Sequence, residues 1–156
     1  MGNFCSETEY ELYYMKISAK IDYACRALLE LSLHWPNQTP VPIQEIARRQ
    51  KIPIKFLVHI LISLKQLDFL ESIRGKKGGY VLSKNPREIK LSDVIRNFGA
   101  LGYSASSEKR KQKDPHVMDI LWREIDRTVL NAVEQINFEM IAHRAQSKNK
   151  TIMYEI

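Results

Sequence analysis

Arg74, Lys76 and Lys77 stand among Gly75, Gly78 and Gly79 in the stretch SIRGKKGGYVLS, residues 72–83 of a 156-residue chain. Cations carried on a glycine-rich turn have phosphate recognition as their natural chemistry, and two versions of it compete. A nucleotide-binding P-loop needs G-x-x-x-x-G-K-S/T between a strand and a helix, so that backbone N–H groups and a lysine cradle the phosphates. Here Gly75 and Gly79 are only four apart, no Lys-Ser/Thr pair follows, and YVLS reads as a strand. The nucleotide reading fails on spacing and on context. A hairpin tip aimed at DNA fits better. The negative potential of a narrow minor groove favours an inserted arginine such as Arg74, while Lys76 and Lys77 can neutralise backbone phosphates. Gly78 and Gly79 would let the chain turn tightly against the duplex. A solvated hairpin with chance charge is the bland alternative, and the elements upstream decide against it.

Those elements follow from periodicity. In SAKIDYACRALLELSLHW, Ile21, Ala24, Cys25, Leu28 and Leu31 recur at helical spacing, with Ser18 as N-cap and Pro36 as the stop. PNQTPVP is a loop. IQEIARRQ forms a short helix with Ile43, Ile46 and Ala47 inward and Arg48 and Arg49 outward. A link, Gln50–Lys51–Ile52, leads to Pro53, which suits the first turn of a longer helix. That helix, PIKFLVHILISLKQL, buries Phe56, Leu57, Ile60, Leu61, Leu64 and Leu67. FLESI and YVLS are strands flanking the glycine turn, and LSDVIRNF is a further short helix. Helix-turn-helix followed by a basic hairpin is the order of a winged helix. The second helix of such a pair enters the major groove, its N-terminal turns first. Its outward residues include Lys55, Val58 and His59. Lys55 and His59 share a face and could donate to base edges or phosphates, and Val58 could meet a thymine methyl. Arg48, and Lys16, Ser18 and Lys20 at the head of the first helix, are candidates for backbone contacts. Each could equally be a plain solvent-facing side chain.

The remainder divides in two. Gly99 to Pro115 breaks all periodicity and predicts a flexible loop. From Pro115 a helix of about thirty residues is expected, with Met118, Leu121, Trp122, Ile125, Val129, Val133, Ile136 and Met140 recurring along one stripe. A stripe this long beside a complete domain core wants a partner helix, and its own copy in a homodimer is the natural one; folding back on its own domain is the alternative. The expected fold class is mainly α with a small β-hairpin. Its parts are an N-terminal extension (1–14), a winged helix-turn-helix (15–84), a short helix and loop (85–114), a dimerisation helix (115–147) and a tail (148–156).

Composition narrows the function classes. The net charge is +6, and residues 15–80 alone carry eleven Lys/Arg against five Asp/Glu, so the basic excess centres on the wing. That favours a polyanionic partner, double-stranded DNA. No apolar run approaches the roughly 20 residues of a membrane span. The N-terminus lacks the basic and apolar regions of a secretory signal. It fits the pattern M-G-x-x-x-S/T for myristoylation, with Cys5 nearby, although a short pattern of this kind often arises by chance. Two cysteines, Cys5 and Cys25, make no disulfide framework, and a reducing cytoplasm is the expected setting. Cys25 lies on an apolar stripe and reads as a structural thiol. His34, His59, His116 and His143 show no metal-ligand spacing, so no metal site is expected. No nucleophile motif, carboxylate pair or cofactor fingerprint marks an enzyme. The rival class is an interaction module whose winged helix binds a partner protein, but such a module has no need of Arg74, Lys76 and Lys77 together.

Four blocks, MKISAKIDYACRALLEL, IQEIARRQKIPIKFLVHIL, SIRGKKGGYVLSKNPREIKLSDVIR and LWREID, together resemble the Rrf-two family of bacterial winged-helix regulators from Met15 to about Arg144. The resemblance implies a homodimer, joined through the long C-terminal helix, on a dyad-symmetric operator. A repressor is the expected form. It implies a minor-groove role for Arg74. Many members sense through an iron–sulfur cluster on three cysteines in the loop before the long helix, whereas residues 99–116 here hold no cysteine. Asp22 matches a ligand position in the members that sense nitric oxide. No cofactor is therefore expected, with a non-standard cluster on Cys25 and His116, His34 or a carboxylate from the other subunit as the exception. Control through a regulatory partner protein, known for a member without the cysteines, or through a small ligand remains open. Val58 and His59 stand where many members carry Glu and Gln, so no operator sequence carries over.

Overall fold

The computed structural model describes residues 17–99 and 116–154, with side chains to residue 148. Expectations for residues 1–14, for Lys16 and for the loop from residue 100 to 115 lie outside the described residues.

Helix α1 (Ala19–Leu33) starts where Ser18 Oγ accepts the Ile21 N–H, the cap read from the sequence. Its stripe of Ile21, Ala24, Ala27, Leu28 and Leu31 is buried, and Cys25 lies half-buried at the edge of that stripe. Helix α2 (Ile43–Gln50) ends at Lys51, whose left-handed φ of 54° reverses the chain. Helix α3 (Ile54–Gln66) follows at once, with Pro53 one position earlier than expected, at the N-cap. Leu57, Ile60, Leu61 and Leu64 anchor α3 in the core. Each such leucine or isoleucine contributes roughly 1.5–3 kcal/mol by leaving water. Phe56, expected inside, is 59% exposed. Leu57 and Leu61, four apart, centre the buried arc, and Phe56, one residue before Leu57, falls about 100° away from it.

Strands β1 (Leu70–Ile73) and β2 (Gly79–Leu82) pair antiparallel, Leu70 opposite Leu82 and Ile73 opposite Gly79. Val41 adds a separate rung to β2 by exchanging both backbone hydrogen bonds with Tyr80, at 3.0 and 2.9 Å. This rung explains Gly79. A Cβ there would lie 2.5 Å from the Val41 backbone. Gly78 is similarly closed in by the Ile73 and Gly75 carbonyls, and its N–H donates to Gly75 O at 3.0 Å. Both glycines thus serve the hairpin's own closure, a role the sequence expectation did not include.

A 3-10 turn (Pro86–Glu88) leads to helix α4 (Leu91–Phe98), whose Val94, Ile95 and Phe98 are buried in the same core. The winged domain therefore extends through α4, beyond the boundary expected at residue 84. The single long C-terminal helix is instead two, α5 (Val117–Val133) and α6 (Phe138–Tyr154). The break is built in: Leu91 N–H donates to Ile136 O at 2.9 Å, Phe138 N–H to Ile89 O at 3.0 Å, and Asn137 Oδ1 accepts the Met140 N–H. Phe138 is fully buried, and α6 folds back along α1. Residues 148–154, expected in the tail, continue this helix.

Candidate nucleic-acid interface

The helix-turn-helix is held at a fixed angle by a buried carboxylate. Glu30 on α1, 1% exposed, accepts from Gln50 Nε2 at 2.7 Å and Arg49 Nη1 at 3.1 Å on α2, and lies 3.3 Å from His34 Nε2. Arg49 also pairs with Glu45, and Arg26 donates to the Gln50 carbonyl at 3.3 Å. A buried charge persists only when paired and hydrogen-bonded, so these contacts fix α2, and through its short turn α3, against α1. Sequence reasoning missed Glu30. It stands among apolar residues of α1 without a periodic signal of its own.

From that frame α3 presents Ile54, Lys55, Phe56, Val58, His59 and Ile62 to solvent. Lys55, Val58 and His59, the expected contact residues, are all exposed. Ile54 and Phe56 join them, and no polar pattern had marked them. Arg48 is exposed at the end of α2, and Lys20 is exposed on α1 with its Nζ 5.5 Å from the centre of the Phe98 ring. Ser18 spends its oxygen lone pair on the α1 cap, which leaves the hydroxyl proton to donate outward. At the wing, Arg74, Lys76 and Lys77 are all exposed on the five-residue tip between β1 and β2. Lys65 Nζ donates to Ser72 Oγ at 2.7 Å, which ties the end of α3 to the strand leading into the tip.

The C-terminal residues separate into two groups. Met118, Leu121 and Ile125 are 40–43% exposed on α5, a helix in which no residue is buried. Trp122 and Val129 are half-exposed on the same helix. Val133 instead packs against the chain's own core, Ile136 lies in the link, and Met140 is exposed on α6. Glu134 clamps the base of α5 to α4 through Lys90 and Arg96, each at 3.1 Å. The hydrogen bond from Lys90, reinforced by both positive charges, holds the Glu134 carboxyl below the usual range.

Comparison with known proteins converges on one group. Residues 17–144 match the family Rrf2, described as iron-dependent transcriptional regulators. An rrf2-like HTH-type regulator of Rhodobacter capsulatus is 43% identical over 84 residues, a match spanning 53% of this chain and 56% of that one. IscR of Pectobacterium atrosepticum is 27% identical over 138 residues, covering 86% of this chain and 84% of its own. Among solved structures, T. potens IscR superimposes with a TM-score of 0.69 at 26% identity over 85% of this chain and 90% of its own. CymR, the global cysteine regulator of B. subtilis, gives 0.66 at 26% identity over 83% and 97%.

The family description names iron, and the described residues do not fit an iron–sulfur cluster. The chain's two cysteines are Cys5 and Cys25. Burial, and secondarily the Asp22 carboxylate, push the Cys25 thiol up to about 12. At neutral pH the free side chain is a protonated thiol, and a metal would have to displace that proton from a half-buried site. Asp22 is engaged with Arg26 at 2.8 Å and His34 with Glu30. Among the described residues no three His, Cys, Asp or Glu gather as metal donors.

Proposed function

This chain belongs to the Rrf2 family of transcriptional regulators, and on that premise we propose that it is a cytoplasmic homodimeric repressor that binds a dyad-symmetric operator through α3 and the wing. One observation carries the reading: the exposed face of α3 and the exposed wing tip bring Lys55, His59, Arg74, Lys76 and Lys77 to solvent, and among the described residues none of them pairs with a carboxylate. In this account α3 enters the major groove and Lys55, Val58 and His59 meet base edges. Arg74 enters the flanking minor groove, and Lys76 and Lys77 bind phosphates on either side of it. Arg48, Ser18, Lys20 and Lys16 position the backbone around them.

Homodimer formation is supported by α5, a 17-residue amphipathic helix with no buried residue, and symmetric self-association would cover its apolar stripe. A dimer sets two wings on two half-sites about one helical turn apart. Repression then needs nothing beyond occupancy of a promoter. Among the described residues no donor set for a cluster gathers, and this reading assigns control to a regulatory partner protein or a small ligand. The charge test is direct. Binding of a fluorescent duplex, titrated against salt, should show a steep log–log slope that becomes shallower by about 1 on Lys76→Ala. A slope untouched by that substitution removes the wing from the interface.

A further inference from the structure

Helix α3 turns apolar as well as cationic side chains to solvent. Phe56 is 59% exposed, Ile62 50% and Val58 39%. An ordinary surface helix keeps such side chains against the core, and here they stand on the helix that enters the major groove in the reading above. At about 100° per residue, Phe56 and Val58 fall on opposite flanks of α3, with Lys55 and His59 along the line between them. Tyr23 on α1 backs Phe56 from one side, the two ring centres 6.2 Å apart and tilted by 42°. The rest of the Phe56 ring is in water.

The polar groups of α3 complement this pattern. Its 13 residues include no Asp or Glu. The Ser63 hydroxyl donates to the His59 carbonyl of its own helix at 3.0 Å, and Lys65 donates to Ser72 at 2.7 Å. The helix therefore offers no carboxylate to accept from the amino group of cytosine. On the floor of the major groove one group is apolar, the C5-methyl of thymine, and the others are hydrogen-bond donors or acceptors. A phenylalanine set against a donor or acceptor strips it of water and returns no hydrogen bond. Set against a methyl group, the same ring buries two apolar surfaces at once. A helix about 10–12 Å across fills a groove about 12 Å wide, so its two flanks meet opposite strands.

We propose that Phe56 is a specificity-determining residue, which reads the C5-methyl of a thymine on one strand of each half-site while Val58 reads a thymine on the other strand. The proposal rests on the DNA-binding reading above and names the base that reading leaves open. Lys55, between the two flanks, donates to a base or phosphate acceptor and supplies affinity. Phe56 and Val58 supply the choice of thymine over cytosine, which carries an amino donor and no methyl.

The test takes a duplex selected by the full-length chain from a random pool and replaces its thymines by deoxyuridine, one position at a time. Each exchange removes a methyl group and leaves every donor and acceptor in place. Two positions in each half-site, one per strand, should lose affinity about fourfold, the effect of burying one methyl-sized group. In Phe56→Ala one of these two losses should vanish while the other persists, and Val58→Ala should show the converse. Phe56→Leu should keep part of the discrimination. Neither alanine variant removes a charge, so the salt slope should stay as it is, and an unchanged melting temperature checks that each variant is folded. Deoxyuridine duplexes that all bind as tightly as the thymine duplex overturn the proposal and leave the DNA reading in place. A loss that Phe56→Ala leaves intact at both positions overturns the role of Phe56. Failure to bind any duplex overturns the DNA reading, and the proposal with it.

Discussion

At the scale of single residues, the clearest assignments are those in which a side chain has one job. Arg74 is exposed at the base of the wing, so Arg74→Ala should weaken specific binding by about 1–3 kcal/mol while leaving the melting temperature unchanged. Equal affinity of the two proteins in a titration on the same duplex would remove Arg74 from the groove. Gly79 is the opposite case, internal and structural. Because a Cβ would strike the Val41 backbone, Gly79→Ala should cost about 1–3 kcal/mol by denaturant unfolding. A neutral result would mean the Val41 rung shifts freely. The spacing of these glycines calls for a close approach, and the structure adds one within the hairpin itself. Sequence shows that no Cβ is wanted and is silent about which backbone stands in the way. Glu30 was illegible for a related reason: its partners Arg49 and Gln50 are about twenty positions away and meet it only once α1 and α2 pack. Glu30→Ala should cost about 1–3 kcal/mol, read as a lowered unfolding midpoint, by leaving the Gln50 amide without its acceptor.

At the scale of elements, helical periodicity located α1, α2, α3 and α4, and glycine-flanked β-branched runs located the hairpin. Periodicity failed where the register continues across a break. The stripe from Met118 to Met140 runs unbroken through Glu134–Asn137, and nothing in its spacing shows that Ile136 and Phe138 make backbone hydrogen bonds to Leu91 and Ile89 at the start of α4. Asn137, an N-cap residue type, was the one local signal. The consequence is that the apolar stripe has two owners. Val133, just before the break, belongs to the core, while Met118, Leu121 and Ile125 remain exposed on α5 and Met140 on α6. Replacing Ile125 and Val129 together by aspartate should therefore give a folded monomer by sedimentation. A dimer that survives the double change places the interface elsewhere. The clamp at the base of α5 adds a pH dependence. Glu134 has a folded-state value below its unfolded one, so its contribution is present above the unfolded value and is lost as the pH falls through the folded one. The junction of α4 and α5 should loosen in acid, at a pH below the ordinary glutamate range, visible as signal changes at Lys90 and Arg96.

At the scale of the whole molecule, the charge asymmetry, the helix-turn-helix frame and the wing point to the same partner, and family membership agrees with them. The outcome that composition could not foresee is the face between α1 and α3, where apolar and cationic groups are exposed side by side on the helix meant for DNA. The central claim is that this chain reads DNA as a symmetric pair. The most direct measurement is selection of bound sequences from random duplexes by the full-length protein. The account predicts an enriched motif with two-fold symmetry, its half-site centres about one helical turn apart. Recovery of no motif, or of a single unrepeated half-site, would contradict it.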